Sequence, residues 1–479
     1  MIIVWILLSV IALFLIVLAC NAALSGTRRR KPTTPLPAVS EEAEQSYARG
    51  LGRMISCATV SRKGSFDDKE FSKLRATMAE LFPLLHEKAE LQIFGEDCWV
   101  YRIPGKLSER HIMLMSHHDV AEVNDAPKWA HPPFSGEIAD GKIWGRGTVD
   151  TKGPLFAEFR AVEELLQEGF VPPCDLYLAS SHNEEIAGNG IPLAVQYFKE
   201  QGITFDLVLD EGGALLTAPM PGISQKCAMI AVHEKGRCML KCKAEDAAAH
   251  AGLAASSETP VLRMSRFIAE LSAKPPFCRR LYPEVRAMFT ALCPYMKFPM
   301  RLIFANLWCF APLLVKLMPK LNPQAGAMVG TLCSFPEIGG SDASHVCSCD
   351  AFLRCVREED LQQDLAAFKA IADKHGISFE QSDYEYHAPA KLNSPQLPFV
   401  QNCVAAVFPK AASSPFLLPA GTDSRHFSDL CPAVLRFAPI DLDAQQFASV
   451  HGLNENLDVK SLSNAVAFYK YLLIHYEVK

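Results

Sequence analysis

The sequence predicts an α/β fold in which a mainly parallel sheet is flanked by helices. Four short apolar runs have the length and composition of strands buried on both faces of such a sheet. They are HIMLMS (111–116), DLYLASS (175–181), FDLVLD (205–210) and AVLRFAP (433–439). Between the first two, residues 151–169 place their large apolar side chains on one helical stripe, and Gly169 suits the helix end. Strands that alternate with helices are typical of α/β proteins.

A different pattern fills residues 231–388, where strand-like alternation and helical spacing occur without long buried runs. These segments are, in chain order, 239–252, 261–271, 349–357, 361–376 and 379–387. They predict an α+β lid domain inserted into the α/β domain. The catalytic α/β domain would then consist of residues 45–230 and 389–479.

The inserted domain contains an apolar helical stretch at about 277–323. At its centre, Phe298 to Leu321, the uncharged run between Arg301 and Lys316 is too short to cross a bilayer. A packed helical hairpin is the simplest interpretation. A lid over an apolar substrate and a surface that dips into a membrane are the alternatives.

The first 20 residues predict a single-pass transmembrane anchor. The run from Ile2 to Cys20 has no charge and spans roughly 28 Å as a helix, about one bilayer core. No Lys or Arg precedes it, unlike a cleaved signal peptide, although VLAC at 17–20 loosely resembles a lipoprotein cleavage site. The basic cluster Arg28–Lys31 follows the span and favours a cytoplasmic catalytic domain. Residues 21–44 are polar and proline-rich, and predict a linker.

Overall composition argues against two classes of protein. The net charge of −6 offers no global basic surface for nucleic acid. The 16 cysteines lack the regular spacing of a disulfide framework or a zinc ribbon, so buried free thiols are expected.

Two adjacent histidines and an aspartate end the first predicted strand, in SHHDV (116–120). His117 and Asp119 are two residues apart, so their side chains share one face of the strand, whereas His118 faces the other way. A carboxylate beside a ligand histidine commonly accepts its second N–H and fixes the tautomer. A pair standing alone would more simply be a satisfied core histidine.

Acidic residues follow the other predicted strands. Asp150 lies in the glycine-rich turn WGRGTVDTKG, Glu184 and Glu185 lie in HNEEIAGNG, and Asp210 and Glu211 lie in VLDEGG. Open α/β sheets form their sites at the carboxyl ends of their strands, so these carboxylates are expected to converge there. Gathered carboxylates repel one another unless cations neutralise them, and two divalent ions would do so.

Together these motifs resemble a di-zinc metallopeptidase family that contains carboxypeptidase S, carboxypeptidase G, aminoacylase and succinyl-diaminopimelate desuccinylase. The resemblance is strongest to the carboxypeptidase S-like branch and covers roughly residue 45 to the end. The motifs that carry it are SHHDV, GRGTVDTKG, NEEIAG, LDEGG and VHGLNEN, together with WAHPPFSGEI.

The resemblance implies two zinc ions per chain, for which Co²⁺ or Mn²⁺ could substitute. By position in the motifs, the metal ligands would be His117 and Asp210 for one ion, Glu185 and His451 for the other, and Asp150 as the bridge. Asp119 would orient His117, and Glu184 would be the general base. From the residues alone, His426 in GTDSRHF competes with His451 as the late ligand.

The resemblance also assigns residues around the substrate. His250 in AAAHAG would help to stabilise the oxyanion, and Arg354 would meet a substrate carboxylate, although a strand-surface charge is the alternative for Arg354. Gly421 and Thr422 would bind substrate, in AGTD where the family usually has Gly-Gly-Thr-Asp. The inserted domain is often the dimerisation surface in this family, so a homodimer is an expectation.

The implied activity is zinc-dependent hydrolysis of an amide bond in dipeptides or N-acyl amino acids, with a metal-bridged water as nucleophile. A non-catalytic, membrane-anchored binding protein is the alternative from another functional class. A third interpretation keeps the enzyme but makes it an esterase or deacetylase of another small molecule.

Overall fold

A computed structural model describes residues 1–30, 34, 36–246, 259–321, 323–341 and 345–478. The helices, numbered in chain order, are α1 (Ile2–Thr27), α2 (Glu41–Ile55), α3 (Asp68–Leu81), α4 (Pro83–Lys88), α5 (Lys152–Gln167), α6 (Gly190–Gln201), α7 (Pro260–Ala273), α8 (Pro283–Leu292), α9 (Phe298–Phe304), α10 (Leu307–Leu321), α11 (Pro323–Ala327), α12 (Glu358–Lys374), α13 (Gln396–Val407), α14 (Ala444–Ser449) and α15 (Val459–His475).

The strands are β1 (Glu90–Phe94), β2 (Cys98–Ile103), β3 (His111–Met115), β4 (Ile138–Ala139), β5 (Lys142–Trp144), β6 (Asp175–Ser180), β7 (Leu207–Asp210), β8 (Leu215–Thr217), β9 (Lys226–Glu234), β10 (Gly236–Glu245), β11 (Leu332–Ser341), β12 (Val346–Cys355), β13 (Ser378–Glu385), β14 (Ala412–Leu418), β15 (Val434–Arg436), β16 (Asp441–Leu442) and β17 (Asn456–Asp458).

The main sheet has the strand order β1-β2-β6-β3-β7-β15-β9-β8-β16, with β14 also paired to β9. Its centre consists of the four strands predicted from apolar runs. Strands β6, β3, β7 and β15 are neighbours and run parallel to one another. The predicted α/β fold is therefore confirmed, and the carboxyl ends of these four strands lie at one edge.

Helices cover both faces of this sheet because its central strands are apolar on both sides. On β3, Ile112 and Leu114 belong to the core under α2, α5, α13 and α15. Met113 and Met115 belong to the opposite core, together with Phe198 of α6. All five side chains are buried, and each contributes about 1.5–3 kcal/mol of transfer free energy. This packing holds the end of β3 in place. His117 lies just beyond that end along the chain.

The middle of the chain forms a second, antiparallel sheet with the order β11-β12-β10-β13. Helices α7 and α12 pack on this sheet through a separate core. These elements confirm the strands and helices expected from the α+β pattern. Only Lys235 separates β9 of the main sheet from β10 of the second sheet, so one nearly continuous stretch of strand links the two. The cleft described below lies at this junction.

The apolar insert does not form a flat antiparallel hairpin. Helices α9 and α10 meet at an angle of 98°. At the corner, the side chain of Asn306 is fully buried, and its amide donates to Leu302 O. The insert packs on the main sheet through α8 and β14, in a core that includes Phe289 and Leu417.

Helix α1 is the one described helix that is by itself long and apolar enough to cross a membrane. It continues beyond Cys20, the predicted end of the anchor, to Thr27. Part of the predicted linker is therefore helical. The physical reason is packing, since Leu18 and Ala22 are buried against the rest of the protein.

Candidate metal centre

His117 lies immediately beyond β3, and its imidazole is buried between two aspartates. Its Nε2 is 3.0 Å from Asp150 Oδ1. Its Nδ1 is 3.0 Å from the Asp119 carbonyl oxygen and 3.3 Å from Asp119 Oδ1. Although burial opposes the charged form, Asp119 and Asp150 hold the pKa of His117 well above its ordinary value.

His118 points away from this group, as the strand geometry predicted. Its ring stacks on Trp99 at a centroid distance of 3.9 Å, and its Nδ1 is 2.9 Å from Ser180 Oγ. Burial lowers the pKa of His118 to about 4. His118 is therefore a neutral core residue that fills the space behind the end of β3.

Asp150 lies between two histidines. Its second oxygen, Oδ2, is 3.0 Å from His451 Nε2, so each carboxylate oxygen meets one imidazole. The turn that carries Asp150 is held by Glu455, which sequence reasoning did not identify. Glu455 Oε1 accepts hydrogen bonds from the backbone N–H groups of Gly147, Val149 and Asp150 at 3.1, 2.8 and 3.2 Å.

Glu455 could have been found from its position in the HGLNEN motif. The residue is fully buried, and its Oε2 accepts a hydrogen bond from Arg146 Nη1 at 2.6 Å. A buried carboxylate with this many donors orients the backbone it touches. The same short segment thus supplies His451 and the support for Asp150.

The turn after β6 places Glu184 and Glu185 beside the same group. Asp119 accepts the backbone N–H of each glutamate at 3.2 Å and the hydroxyl of Ser61 at 2.6 Å. Glu185 Oε2 is 3.0 Å from His451 Nε2. Asp119 therefore connects the orientation of His117 to the position of both glutamates.

Asp210, expected as a metal ligand, has one carboxylate oxygen engaged by the backbone. Its Oδ2 accepts a hydrogen bond from the Ser424 backbone N–H at 3.0 Å. Glu211, the next residue, brings its carboxylate to His117 and Asp150 instead. Side chains that follow one another along an extended chain point to opposite sides, so only one of two adjacent acids can face the centre.

Two groups of potential ligands result, and they share Asp150. One consists of His117, Asp150 and Glu211, and the other of Asp150, Glu185 and His451. Within each group, one ligand atom per residue lies within 4.8 Å of the others. Imidazole nitrogens and carboxylate oxygens are ligands that suit Zn²⁺, so this donor set fits a pair of divalent ions.

Electrostatics support the same conclusion. Burial, together with the carboxylates of Asp150 and Asp210, raises the pKa of Glu211 well above its ordinary value. Burial also raises the pKa of Glu184, to which Asp423 and Glu211 add, although His117 opposes them. Bound cations would relieve this repulsion between crowded acids.

His451, rather than His426, joins Asp150 and Glu185. Its side chain is 54% exposed, and its backbone has a left-handed φ of 58°. Hydrogen bonds with Asp150 and Glu185 raise the pKa of His451 to about 10. His426 lies elsewhere, with its Nδ1 3.3 Å from Glu385 Oε1.

A cleft of about 350 Å³ opens beside the two groups. It is lined by Glu184, Glu185 and His451 on one side and by Arg354 and Gly421 on another. A Cβ added at Gly421 would lie 3.7 Å from Arg354 Nη1, so these two expected substrate-binding residues are neighbours.

Arg354 belongs to β12 of the second sheet. Its guanidinium lies 5.2 Å from the centroid of the Phe352 ring and makes no ion pair within the described part of the chain. Burial lowers the pKa of Arg354 from its ordinary value. A half-buried cation that makes no ion pair and faces a cleft can receive an anionic group.

Two of the expected residues around the substrate, Thr422 and His250, are not among the side chains that line the cleft in the described part of the chain. Thr422 is buried beneath the cleft, where its backbone N–H donates to Glu234 Oε2 at 3.0 Å. Its hydroxyl is 2.9 Å from Ser424 Oγ. Thr422 thus supports the loop beneath the cleft, and its expected contact with substrate stays a prediction. His250 lies outside the described residues.

Comparison with known proteins finds relatives that match most of the chain. A probable carboxypeptidase S-like 2 of Dictyostelium discoideum is 29% identical over 440 residues, covering 89% of this chain and 84% of the relative. The N-fatty-acyl-amino acid synthase/hydrolase PM20D1 of Xenopus tropicalis is 28% identical over 451 residues, covering 91% and 86%.

Among solved structures, an M20 family metallo-carboxypeptidase from Sulfolobus solfataricus, Sso-CP2, has a TM-score of 0.63 at 18% identity. The match covers 91% of this chain and all of the solved chain, and shows a shared fold. A sequence model described as Peptidase family M20/M25/M40 matches residues 113–475. The resemblance seen in the motifs is thereby confirmed, and the chain belongs to the M20/M25/M40 family of peptidases.

Proposed function

We propose that the protein is a two-metal amidohydrolase that cleaves the amide bond of N-acyl amino acids or dipeptides. The observation that carries the proposal is the Asp150 carboxylate, whose two oxygens each meet a histidine in a different ligand group. A carboxylate shared in this way suits two ions held side by side. Membership in a peptidase family supports hydrolysis.

In this proposal, His117, Asp150 and Glu211 hold one ion, and Asp150, Glu185 and His451 hold the other. Zn²⁺ is the expected metal, with Co²⁺ or Mn²⁺ as substitutes, because the ligands are imidazoles and carboxylates. When bound, such a pair supplies a water of lowered pKa and polarises a carbonyl group.

Glu184 is proposed as the general base. It lines the cleft next to Glu185, and the bond from its backbone N–H to Asp119 fixes its position. Its carboxylate would take a proton from the nucleophilic water and then give that proton to the leaving nitrogen. One carboxylate can serve both steps because it regains its starting state at the end.

Arg354 is proposed to bind the carboxylate of the substrate's amino acid part. It faces the cleft from the opposite sheet, and its guanidinium is free of an acidic partner among the described side chains. A bidentate bond to a carboxylate would orient the scissile amide. The relatives named as a carboxypeptidase and as an N-fatty-acyl-amino acid hydrolase support substrates of this kind.

Helix α1 is proposed as an uncleaved single-pass anchor with the catalytic body on the cytoplasmic side. Its uncharged length and the arginines that follow it support this orientation. A homodimer through the inserted domain stays a prediction from the family resemblance.

Hydrolysis is tested with the purified full chain and a panel of N-acyl amino acids and dipeptides, with and without a chelator. Release of a free amino acid, followed by mass spectrometry, is expected to require about two metals per chain, measured by elemental analysis. The chelator should abolish turnover, and Zn²⁺ should restore it. A chain that binds two metals and substrate but releases no product would favour the binding-protein alternative.

Glu184→Gln is expected to keep both metals and to lose at least ~10²-fold in kcat, the low end for general acid–base catalysis. The glutamine has the same shape but cannot take the proton. Stopped assays and metal analysis on the same preparation provide the measurement. Near-normal turnover of the pure variant would rule out the proposed base.

Glu211→Gln and Asp210→Asn form a matched pair that tests the ligand assignment. We expect Glu211→Gln to weaken binding of one metal by at least about 10-fold, since even an outer partner of a ligand contributes that much. Asp210→Asn should retain two metals, because an amide oxygen can still accept the Ser424 N–H. Competitive zinc titration distinguishes them, and the reverse pattern would restore Asp210 as the ligand.

Arg354→Ala is expected to raise KM for an N-acyl amino acid by about 10- to 100-fold, the value of a charge-assisted hydrogen bond. The corresponding amino acid amide, which has no carboxylate, should be affected much less. Arg49→Ala, at an exposed position, is the control for loss of a guanidinium. Equal effects on both substrates would contradict carboxylate recognition.

A further inference from the structure

Helix α1 is joined to the folded body by a buried polar contact. The side-chain amide of Asn306 donates to the carbonyl oxygens of Leu18 and Leu302 at 3.0 and 2.8 Å. Its oxygen accepts from Asn21 Nδ2 at 2.8 Å and from Trp308 Nε1 at 3.3 Å. All four hydrogen-bonding positions of this fully buried amide are thus used. Without α1, two of them would be unpaired.

Further contacts follow one side of α1. The Phe14 and Trp308 rings meet edge to face at 5.9 Å, and Ser25 Oγ is 3.1 Å from Cys293 Sγ. Phe14, Leu18, Asn21 and Ser25 therefore lie along one stripe of α1. The stripe lies on α9, α10 and the turn that precedes them, so α1 docks on the apolar insert rather than hanging free.

The remainder of α1 is exposed and apolar. Residues 1–17 are all exposed, and they lie before the first buried residue, Leu18. As a helix this part is roughly 25 Å long, close to the thickness of a bilayer's hydrocarbon core. The docking contact with Asn306 therefore begins where the membrane would end.

Helix α10 also presents exposed apolar side chains. Trp308, Leu313, Leu317 and Leu321 are 60, 52, 41 and 73% exposed. Leu313, Leu317 and Leu321 recur every four residues, so they lie on one side of the helix, next to Lys316 and Lys320. Trp308 lies at the start of α10, where its ring contacts Phe14 of α1. Tryptophan, leucines and flanking lysines are the composition of a helix that lies in a membrane interface.

The charged residues of the insert are also almost all basic. Residues 285–336 contain five lysines and arginines and no Asp or Glu. Arg28, Arg29 and Arg30 add to them, since Arg29 lies 5.4 Å from the Tyr295 ring centroid. A cationic, apolar surface next to a membrane-spanning helix is complementary to anionic lipid headgroups.

We propose that α1 and the α9–α10 pair form one membrane-binding unit, in which α1 crosses the bilayer and α10 lies along its surface. At 15 residues, α10 is too short to span and would lie with Trp308 and its leucines among the acyl chains. A bilayer is the occupant that fits, because α10 begins beside the exposed apolar part of α1, where Trp308 contacts Phe14. The proposal requires the anchor but not the hydrolase activity.

The test uses tryptophan fluorescence of the full chain in vesicles of phosphatidylcholine and phosphatidylglycerol with brominated acyl chains. The chain has five tryptophans, and two of them, Trp5 and Trp308, would contact lipid. Trp5→Phe should retain clear quenching by the brominated lipid. Trp5→Phe/Trp308→Phe should lose it, whereas the matched control Trp5→Phe/Trp144→Phe should keep it.

Intact-mass measurement of the reconstituted chain accompanies the fluorescence. An intact α1 without Trp308 quenching would overturn the interfacial position of α10 and leave the anchor standing. A mature chain that starts at Cys20 or later would overturn both. Hydrolysis measured on the same vesicles separates either failure from failure of the proposed enzyme activity.

Discussion

The candidate centre depends on one carboxylate, that of Asp150, held between two imidazoles. Its oxygens lie 3.0 Å from His117 and 3.0 Å from His451, residues supplied by distant parts of the chain. Burying several acids together is unfavourable unless cations and hydrogen bonds compensate. Glu455 supports the turn through three backbone N–H groups, and Asp119 supports His117. The rigid sheet beneath keeps these partners in register.

The second sheet places a cation, Arg354, across the cleft from the candidate metal centre. Strands β9 and β10 are nearly continuous, so Arg354 of the second sheet is held at a defined position across the cleft from Glu184. Below the cleft, Glu234 accepts from the Thr422 N–H and pairs with Arg436 at 3.0 Å. This buried ion pair joins the end of β9 to the loop that carries Gly421. The distance between the candidate metal centre and the Arg354 guanidinium thus follows from how the two sheets are joined.

In the proposed membrane-binding unit, the N-terminal helix and the apolar insert would extend this architecture to a lipid surface. Two of the four hydrogen bonds of Asn306 reach α1 and two stay within the insert, so the helix and the insert form one packed unit. Because the insert also packs on β14 of the main sheet, the catalytic body would be oriented towards the membrane rather than tethered loosely.

The sequence by itself determined the four central strands, the helix after Asp150, and the motifs that gather at one edge of the sheet. These features are local, because apolar runs and strand alternation follow from neighbouring residues; the opposite directions of His117 and His118 are an example. Only the tertiary structure places Glu211 beside His117 and Asp150, brings His451 rather than His426 to Asp150 and Glu185, and puts Thr422 under the cleft. Each of these depends on where a loop turns after its strand and on which distant side chain fills the space. The role of Asn306 was hidden for the same reason, since a hydrogen bond to a remote segment leaves no periodic trace in the chain.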